Sequence, residues 1–380
     1  MGSPRIYLDH HATTPLSALA RAAMCDALDA GPGNPSSPHL SGRAARSRLE
    51  NARRQVAEAL AAPPRELVFT SGGTEAVALA VWGLGASLGA RRVFVDPGAH
   101  PCLRAAAEGF AAQAGLALEA LPLVPGAGGL HDLEALGRRL SETGRGALLG
   151  VSLVQHETGG VADLEGLGRV AAAHSATLVV DAVQAFGKLP LRPGEGPAAA
   201  VAVSSHKIGG PAGVGALWLR AGLPIVQRQT GGGQERGLRA GTENLVGAVG
   251  FGAAASALGE RLDAMPAVAR RRDKILARLC AYGASVSDPQ RPRVATAAHV
   301  AWPGLAAQEL VAALDLEGVS VSSGAACSSG KAEPSESLLR MAPHEPWRAA
   351  GALRVSLGPS TTDDEVADFE ARFARVWARF

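Results

Sequence analysis

The sequence predicts an α/β fold with a mainly parallel sheet and helices on both faces, followed by a smaller α+β domain. Short apolar runs alternate with helix-forming segments over the first two thirds of the chain, which is typical of parallel strands joined by crossover helices. Gly- and Pro-rich turns close most of these runs. The chain has 380 residues, more than one hydrophobic core usually holds, so we expect two closely joined domains.

The first elements follow from apolar spacing and from the positions of Pro and Gly. A short strand near the N-terminus runs into a polar turn that ends at Pro15, and a helix is expected over residues 18–30. Residues 31–38 contain three Pro and two Gly, which exclude a helix and a strand ladder. A long helix over about residues 41–61 then ends at Pro63 and Pro64.

A strand over residues 67–70, a glycine-rich turn over residues 71–75 and a helix over residues 76–84 come next. This order places free backbone N–H groups and the positive end of a helix around an anion. Similar turns that bind nothing are equally common, so the turn alone does not assign a function.

The alternation of strands and helices continues to about residue 255. Further strands are expected over residues 92–95, 116–121, 147–154, 177–181, 198–203 and 215–219, and helices over residues 102–115 and 164–174. Beyond a glycine-rich stretch at residues 231–237, the regular alternation of strands and helices ends and the remaining helices and strands come in mixed order. We therefore assign residues 15–255 to a large domain, and residues 1–14 with 256–380 to a small one.

Composition excludes several classes of function. The formal net charge is only +2, so we expect no nucleic-acid partner and no attachment to a membrane surface. The four Cys, at positions 25, 102, 280 and 327, lack C-x-x-C spacing, which argues against a zinc site or a disulfide framework and favours a reducing compartment. We see no secretion signal and no run of 18 apolar residues, so we expect a cytoplasmic protein that binds no metal.

Five polar features follow directly on predicted strands: the turn at residues 72–74, His100, His156, Asp181 and Lys207. In open α/β sheets, ligands bind beyond the carboxyl ends of the strands. One such coincidence would mean little, but five of them predict a single site.

Lys207 points to a particular chemistry. It follows an apolar run and precedes a Gly/Pro turn, so its amine lies near the core, where burial disfavours the charged form and makes the amine a nucleophile. Asp181 ends another apolar run, 26 residues earlier. The aldehyde cofactor pyridoxal 5'-phosphate needs such an amine for attachment and an acid against its pyridine nitrogen. Lys207 alone would more often be a surface lysine; with Asp181, Gln184 and His206 nearby, the cofactor interpretation is favoured.

Distinctive motifs extend over nearly the whole chain: Y-L-D-H-H-A-T-T-P at 7–15, G-N-P-S-S at 33–37, F-T-S-G-G-T-E at 69–75, V-D-A-V-Q at 180–184, S-S-H-K at 204–207, and G-G-G-Q-E-R-G-L-R-A-G-T-E-N at 231–244. Together they resemble the cysteine desulfurases, within the class-V aminotransferase-like pyridoxal phosphate enzymes. The segment S-S-G-A-A-C-S-S-G at 322–330 looks like the active-cysteine loop of the group that supplies iron–sulfur cluster assembly and tRNA thiolation.

The resemblance implies the fold-type I architecture of pyridoxal phosphate-dependent transferases, with a seven-stranded type of sheet in the large domain. It implies conversion of L-cysteine to L-alanine, with the sulfur carried as a persulfide on Cys327 to an iron–sulfur scaffold or a thiolation enzyme. It also implies a homodimer. Cys327 lies among Ser, Gly and Ala, so we expect it to be exposed on a loop that can move, as a sulfur carrier requires.

The resemblance also implies roles around the cofactor ring. Lys207 would hold the cofactor and transfer the proton at the substrate α-carbon. Asp181 would face the ring nitrogen, and Gln184 would bind the ring oxygen. His100 would stack on the ring and take part in catalysis, although a histidine in a surface turn is the alternative.

The phosphate and the substrate carboxylate would be held by a second set of residues. By the resemblance, the phosphate ligands are Gly73, Thr74, Ser204 and His206, with Thr242 reaching across the dimer interface. Asn34 and Arg354 would hold the carboxylate. Arg354 interrupts an apolar strand and offers the planar fork that matches a carboxylate, although an Arg on the wet face of an edge strand would look the same.

One position departs from the family pattern. The family usually has two Asn where this chain has Gln155 and His156, so His156 replaces the Asn that binds the cofactor's ring oxygen. An imidazole N–H can supply that bond, but imidazoles are bulkier and generally titrate near neutral pH. We expect this change to affect rate and pH optimum rather than fold.

Three other functions compete with this interpretation. A selenocysteine lyase, or another class-V enzyme, would share the cofactor but need no loop thiol. A non-catalytic sulfur-handling scaffold would explain His156, but not the intact Lys207, Asp181 and Cys327. A nicotinamide dehydrogenase is disfavoured because no G-x-G-x-x-G follows the first strand.

Overall fold

The computed structural model describes residues 4–324 and 334–380. In this part of the chain the strands, in order, are β1 (Ile6–Tyr7), β2 (Leu67–Thr70), β3 (Arg92–Val95), β4 (Ala117–Ala120), β5 (Ala147–Ser152), β6 (Thr177–Asp181), β7 (Ala200–Ser204), β8 (Gly215–Leu219), β9 (Ser285–Val286), β10 (Ala297–Ala301), β11 (Val319–Ser320), β12 (Ser322–Ser323) and β13 (Ala352–Ser356).

The α-helices are α1 (Ala18–Asp29), α2 (Leu40–Ala59), α3 (Gly73–Ser87), α4 (Pro101–Ala114), α5 (Leu133–Thr143), α6 (Leu164–Ala173), α7 (Leu245–Ser256), α8 (Leu258–Asp263), α9 (Met265–Ala281), α10 (Ala307–Leu316), α11 (Glu336–Met341), α12 (Trp347–Ala350) and α13 (Asp363–Trp377). Short 3-10 turns occupy Pro64–Glu66, Ser205–Lys207 and Gln234–Gly237. None of the helices in the described ranges combines the length and the apolar character needed to cross a bilayer.

Seven strands form the central sheet, in the order β2-β8-β7-β6-β5-β3-β4. All neighbours pair in parallel except those of β8, which is antiparallel to β7 and to β2. A second, antiparallel sheet has the order β12-β13-β10-β9, and β1 pairs in parallel with β11. The predicted α/β class with a mainly parallel sheet is confirmed.

Both faces of the central sheet are buried, as its near-continuous apolar strands predict. Along β5 and β6 successive residues point to opposite faces: Leu149 and Val180 join one hydrophobic cluster, which includes Leu residues of α5 and α6. Leu148 and Val179 join the other, with residues of α3 and α4. A third cluster packs α9, α10 and α13 against β10 and β13.

Most predicted elements lie within three residues of the observed ends, but helix α5 was not predicted. Asp132 caps its first turn by accepting the Ala135 N–H at 2.8 Å, and the buried Leu136 and Leu140 face the core. The division into a large domain (15–255) and a small domain (1–14 with 256–380) stays a prediction.

Candidate active site

A cavity of about 370 Å³ opens where β6, β7 and the start of α3 meet. It lies beyond the carboxyl ends of the parallel strands, where ligands bind in this type of sheet, and its volume is that of a small-molecule site. Ten of the residues predicted from the sequence line it: Gly73, Thr74, His100, His156, Asp181, Gln184, Ser204, His206, Lys207 and Arg354.

Three predicted residues are not in that lining. Thr242 is exposed and borders a separate cavity of about 130 Å³; its predicted role needs a second subunit. Asn34 is also exposed, and its Oδ1 accepts the backbone N–H of Ser36 at 2.8 Å. Cys327 lies outside the residues that the structure describes.

Backbone carbonyl groups near the N-terminus position the Lys207 amine. Strand β7 ends at Ser204, and the 3-10 turn that follows carries Lys207 back over the sheet edge. Its Nζ donates to the carbonyl oxygen of His11 and, at 2.8 Å, to that of Ala12. Two carbonyls thus orient the amine toward the cavity that it lines.

Asp181 lies at the end of β6 and is buried. Its Oδ1 accepts the Val183 N–H at 3.0 Å. Burial raises the pKa of this carboxyl, while the Val183 hydrogen bond and the nearby His156 and Lys207 act in the opposite direction. A buried carboxyl with this balance is suited to face a ring nitrogen that carries a proton.

The other end of the cavity is built for an anion. Helix α3 begins at Gly73, so its first N–H groups and its positive end lie beside the cavity that Gly73, Thr74 and Ser204 line. A Cβ on Gly73 would lie 2.5 Å from Val183 Cγ2, so the close approach requires glycine. The pKa of His206 falls to about 4, through burial first and then Lys207, which leaves a neutral imidazole whose ring nitrogens can donate or accept.

His100 and His156 form one wall, with ring centroids 5.0 Å apart and the rings edge-on. His100 caps α4, because its Nδ1 accepts the Cys102 N–H at 3.2 Å. Its proton therefore resides on Nε2. Burial, followed by the charge of His156, lowers the pKa of His100 to about 3, so the ring is neutral. His156 Nε2 lies 3.3 Å from Glu157 Oε1.

Arg354 on β13 lines the cavity, and two hydrogen-bond acceptors fix the orientation of its guanidinium group. Its Nη2 lies 2.9 Å from Asp9 Oδ1, and its Nη1 donates to the carbonyl oxygen of His156 at 3.2 Å. Its buried Nε has no hydrogen-bond partner within residues 4–324 and 334–380. An unpaired donor on a fixed guanidinium beside a cavity is suited to an additional acceptor, such as a carboxylate.

Sequence reasoning missed several residues that line the cavity or position its groups. The buried His11 supplies the carbonyl that accepts from Lys207 and also, at 2.9 Å, from Gln184. Ser152, the last residue of β5, lines the cavity with a buried hydroxyl that has no partner in the described part of the chain. The strand-end rule that found Asp181 could have found Ser152; no sequence signal distinguishes His11.

These groups fit pyridoxal phosphate. The cavity combines an oriented lysine amine, a buried carboxyl and a helix N-terminus beside hydroxyl and imidazole groups. This combination matches an aldehyde, a pyridine nitrogen and a phosphate, respectively.

Comparison with known proteins supplies the family. Residues 6–369 match the family Aminotransferase class-V. Over 367 residues the chain is 41% identical to a protein of Cereibacter sphaeroides named cysteine desulfurase, covering 95% of this chain and 93% of that protein. It is 37% identical over 373 residues to an IscS-like cysteine desulfurase of Mycobacterium tuberculosis, with coverage of 95% and 93%.

Solved structures agree. A NifS-like protein superimposes with a TM-score of 0.90 at 28% identity, covering 99% of this chain and 100% of the other. A NifS-like protein from Rickettsia africae has a TM-score of 0.87 at 26% identity, with coverage of 98% and 99%. The chain therefore belongs to the class-V aminotransferase family and, within it, to the cysteine desulfurases. The family predicted from the sequence motifs is confirmed, and so is the fold-type I architecture.

Proposed function

We propose that this protein is a pyridoxal phosphate-dependent cysteine desulfurase that converts L-cysteine to L-alanine. In this proposal the sulfur leaves as a persulfide on Cys327 and passes to an acceptor protein for iron–sulfur cluster assembly or thiolation. The observation that carries the proposal is the cavity that joins Lys207, Asp181 and the N-terminus of α3. The named relatives support it at 31–41% identity over nearly the full chain.

The residues present would hold the cofactor at three points. Asp181 would face the ring nitrogen, with Gln184 and His156 at the ring oxygen. The phosphate would be held by Gly73, Thr74, Ser204 and His206, and by Thr242 across the interface of a homodimer. When bound, the cofactor supplies an electron sink for negative charge at the substrate α-carbon.

The chain itself supplies proton transfer and orientation. Lys207, whose amine the carbonyls of His11 and Ala12 orient, would take the proton from the substrate α-carbon. His100 stays neutral and holds a proton on Nε2 that it can donate. Arg354, braced by Asp9, binds the substrate carboxylate, with Asn34 as a second donor.

The sulfur transfer needs a thiolate from Cys327. That thiolate attacks the sulfur of L-cysteine: the new S–S bond forms as the substrate C–S bond breaks, and the carbon retains the electron pair and then takes a proton. The products are L-alanine and a persulfide on Cys327. We further propose that the protein acts in the cytoplasm and that the persulfide is its product for the acceptor.

Borohydride reduction of the purified protein tests the cofactor site. We expect one cofactor per chain to become fixed to the peptide containing Lys207 in the wild type and in Lys274→Ala, whose lysine is exposed. Lys207→Ala should stay folded, with no fixed cofactor and no activity. Fixation in Lys207→Ala, or none in the wild type, would contradict the assignment. Comparing L-cysteine with L-selenocysteine as substrate then separates a desulfurase from a selenocysteine lyase.

A further inference from the structure

Lys188 is a buried lysine that the proposed reaction does not use. It lies in the turn after β6, four residues beyond Gln184, and only 3% of it is exposed. Its Nζ donates a hydrogen bond to Gln184 Oε1. Within residues 4–324 and 334–380, it forms no ion pair with a carboxylate. A lysine buried without an acid is rare and needs a physical explanation.

The surroundings of Lys188 disfavour the charged form of its amine. Burial lowers the pKa of Lys188 well below its ordinary value, and the positive charges of Lys207, Arg261 and Arg354 lower it further. The imidazoles that face this group are neutral as well. Burial and nearby positive charges lower the pKa of His10 and His206 to about 4, and that of His11 well below its ordinary value.

Composition fits a requirement for a neutral amine. The chain contains 33 Arg but only four Lys, at positions 188, 207, 274 and 331. Arginine keeps its charge in proteins, whereas lysine can lose its proton on burial. Two of the four lysines lie at the site, where loss of the amine proton is useful. Lys207 lines the cavity, and Lys188 contacts the lining residue Gln184.

The contact with Lys188 determines which way the Gln184 amide points. Gln184 Nε2 donates one N–H to the carbonyl oxygen of His11 at 2.9 Å. The reversed amide would place its oxygen against that carbonyl, where no hydrogen lies between the two acceptors. With Oε1 occupied by Lys188, the second N–H of Gln184 is left for the cavity that the residue lines.

We propose that Lys188 is a positioning residue for the cofactor: its amine holds Gln184 Oε1, so that Gln184 presents an N–H to the ring oxygen. The inference deepens the proposed function and rests on it. An Arg at this position could also donate to Gln184, but it would add a permanent charge beside Lys207. A Met would keep the apolar stem and lose the donor.

The test is a double-mutant cycle on the cofactor-bound protein. Lys188→Met should weaken pyridoxal phosphate binding about three- to tenfold, the effect of one lost hydrogen bond, and should shift the visible absorption band and its pH dependence. In a Gln184→Leu background the same change should add almost nothing, because the partner is gone. Lys274→Met is the matched control and should behave as wild type.

Three results would overturn the proposal. The first is wild-type affinity and spectrum in Lys188→Met, even if its thermal stability falls. The second is an equal effect of Lys188→Met with and without Gln184, which would mean that the lysine acts independently. The third is a wild-type chain that binds no cofactor; that result would remove the proposed function too, whereas the first two would leave it standing.

If Lys188→Met does not fold, the wild-type protein supplies the evidence. Lysine labelled with ¹³C and ¹⁵N gives four side-chain amine signals, which Lys274→Met and Lys331→Met help to assign. We expect the Lys188 signal to be that of a neutral amine at pH 7, unlike that of Lys274. A Lys188 signal that stays unchanged in Gln184→Leu would overturn the proposal, because the amine would then make no contact with Gln184.

Discussion

Replacing Glu235 with Gln tests the ion pair that ties the glycine-rich segment 231–244 to Arg53 of helix α2. Glu235 Oε2 and Oε1 lie 2.7 Å from the two Nη atoms of Arg53, and both side chains are almost fully buried. Glu235 Oε2 also accepts the Phe69 N–H at 2.9 Å. Glu235 and Arg236 both adopt left-handed backbone angles, with φ of 46° and 59°, which the surrounding contacts must maintain.

Removing one partner of a buried pair costs about 3–5 kcal/mol, because the other charge stays buried. We expect Glu235→Gln to lower the free energy of unfolding by about 3 kcal/mol, the lower end of that range. Arg53 keeps two other partners: Glu50, 3.1 Å from its Nε, and the Leu67 carbonyl, 3.1 Å from Nη1. The double variant Arg53→Met, Glu235→Leu should lose less unfolding free energy than the sum of the losses in Arg53→Met and in Glu235→Leu.

Urea titration followed by Trp fluorescence measures the loss as a change in midpoint at constant slope. The control is Glu134→Gln, whose pair with Arg138 is exposed and should be worth less than about 0.5 kcal/mol. A loss below about 1 kcal/mol for Glu235→Gln would refute the reasoning, since the pair would then contribute no more than a surface pair. Cofactor binding should weaken in parallel with the free energy of unfolding, because the same segment carries Thr242, the proposed phosphate ligand across the dimer interface.

Three further predictions concern chemistry and pH. His156→Asn should keep activity and change its pH profile; an identical profile between about pH 6 and 8, where imidazoles generally titrate, would exclude a role for His156. Cys327→Ser should bind cofactor and L-cysteine normally yet release almost no sulfide; wild-type rates of alanine and sulfide formation would remove Cys327 as the carrier. Burial raises the pKa of the Asp288 carboxyl from 3.8 to about 6, so its contribution to stability is present below about pH 4 and lost as the pH rises through 6. Asp288→Asn should therefore be more stable than wild type at pH 7.5 but not at pH 4 in thermal unfolding; lower stability at pH 7.5 would show that the Arg291 ion pair outweighs burial.

The large sheet and the strand-end residues of its site were predictable from local pattern, whereas the phosphate and carboxylate ligands were implied by the resemblance to a family. Strands buried on both faces read as apolar runs, and their carboxyl ends mark the ligand edge. This rule placed Lys207 and Asp181 at the ligand edge, and their combination with Gln184 and His206 favoured the cofactor. Helix α5, between β4 and β5, carried equally clear signals, a capping Asp132 and apolar residues at helical spacing, yet it was not predicted.

The remaining part of the site depends on contacts between distant residues. His11 reaches Gln184 and Lys207 across more than 170 residues of sequence. Burial, followed by the positive charges of Lys207 and Arg261, lowers the pKa of Lys188. Neither fact follows from periodicity or from a short motif. A lysine after a turn looks the same in the sequence whether it is charged on the surface or neutral in the core.

The segment from Asp9 to Thr14 explains how two parts of the site from different sheets keep a fixed separation. On one side, Asp9 pairs with Arg354 of β13, and the His11 N–H donates to Ser356 Oγ at 2.9 Å. On the other side, the His11 carbonyl accepts from Lys207, and the Thr14 N–H donates to the carbonyl oxygen of His206 at 2.9 Å. One short stretch of backbone thus holds the proposed carboxylate-binding guanidinium and the proposed cofactor-binding amine at once. Since neither group can shift without breaking hydrogen bonds to this stretch, the distance between substrate carboxylate and reacting carbon is set by a backbone segment that itself makes and breaks no bond in the proposed reaction.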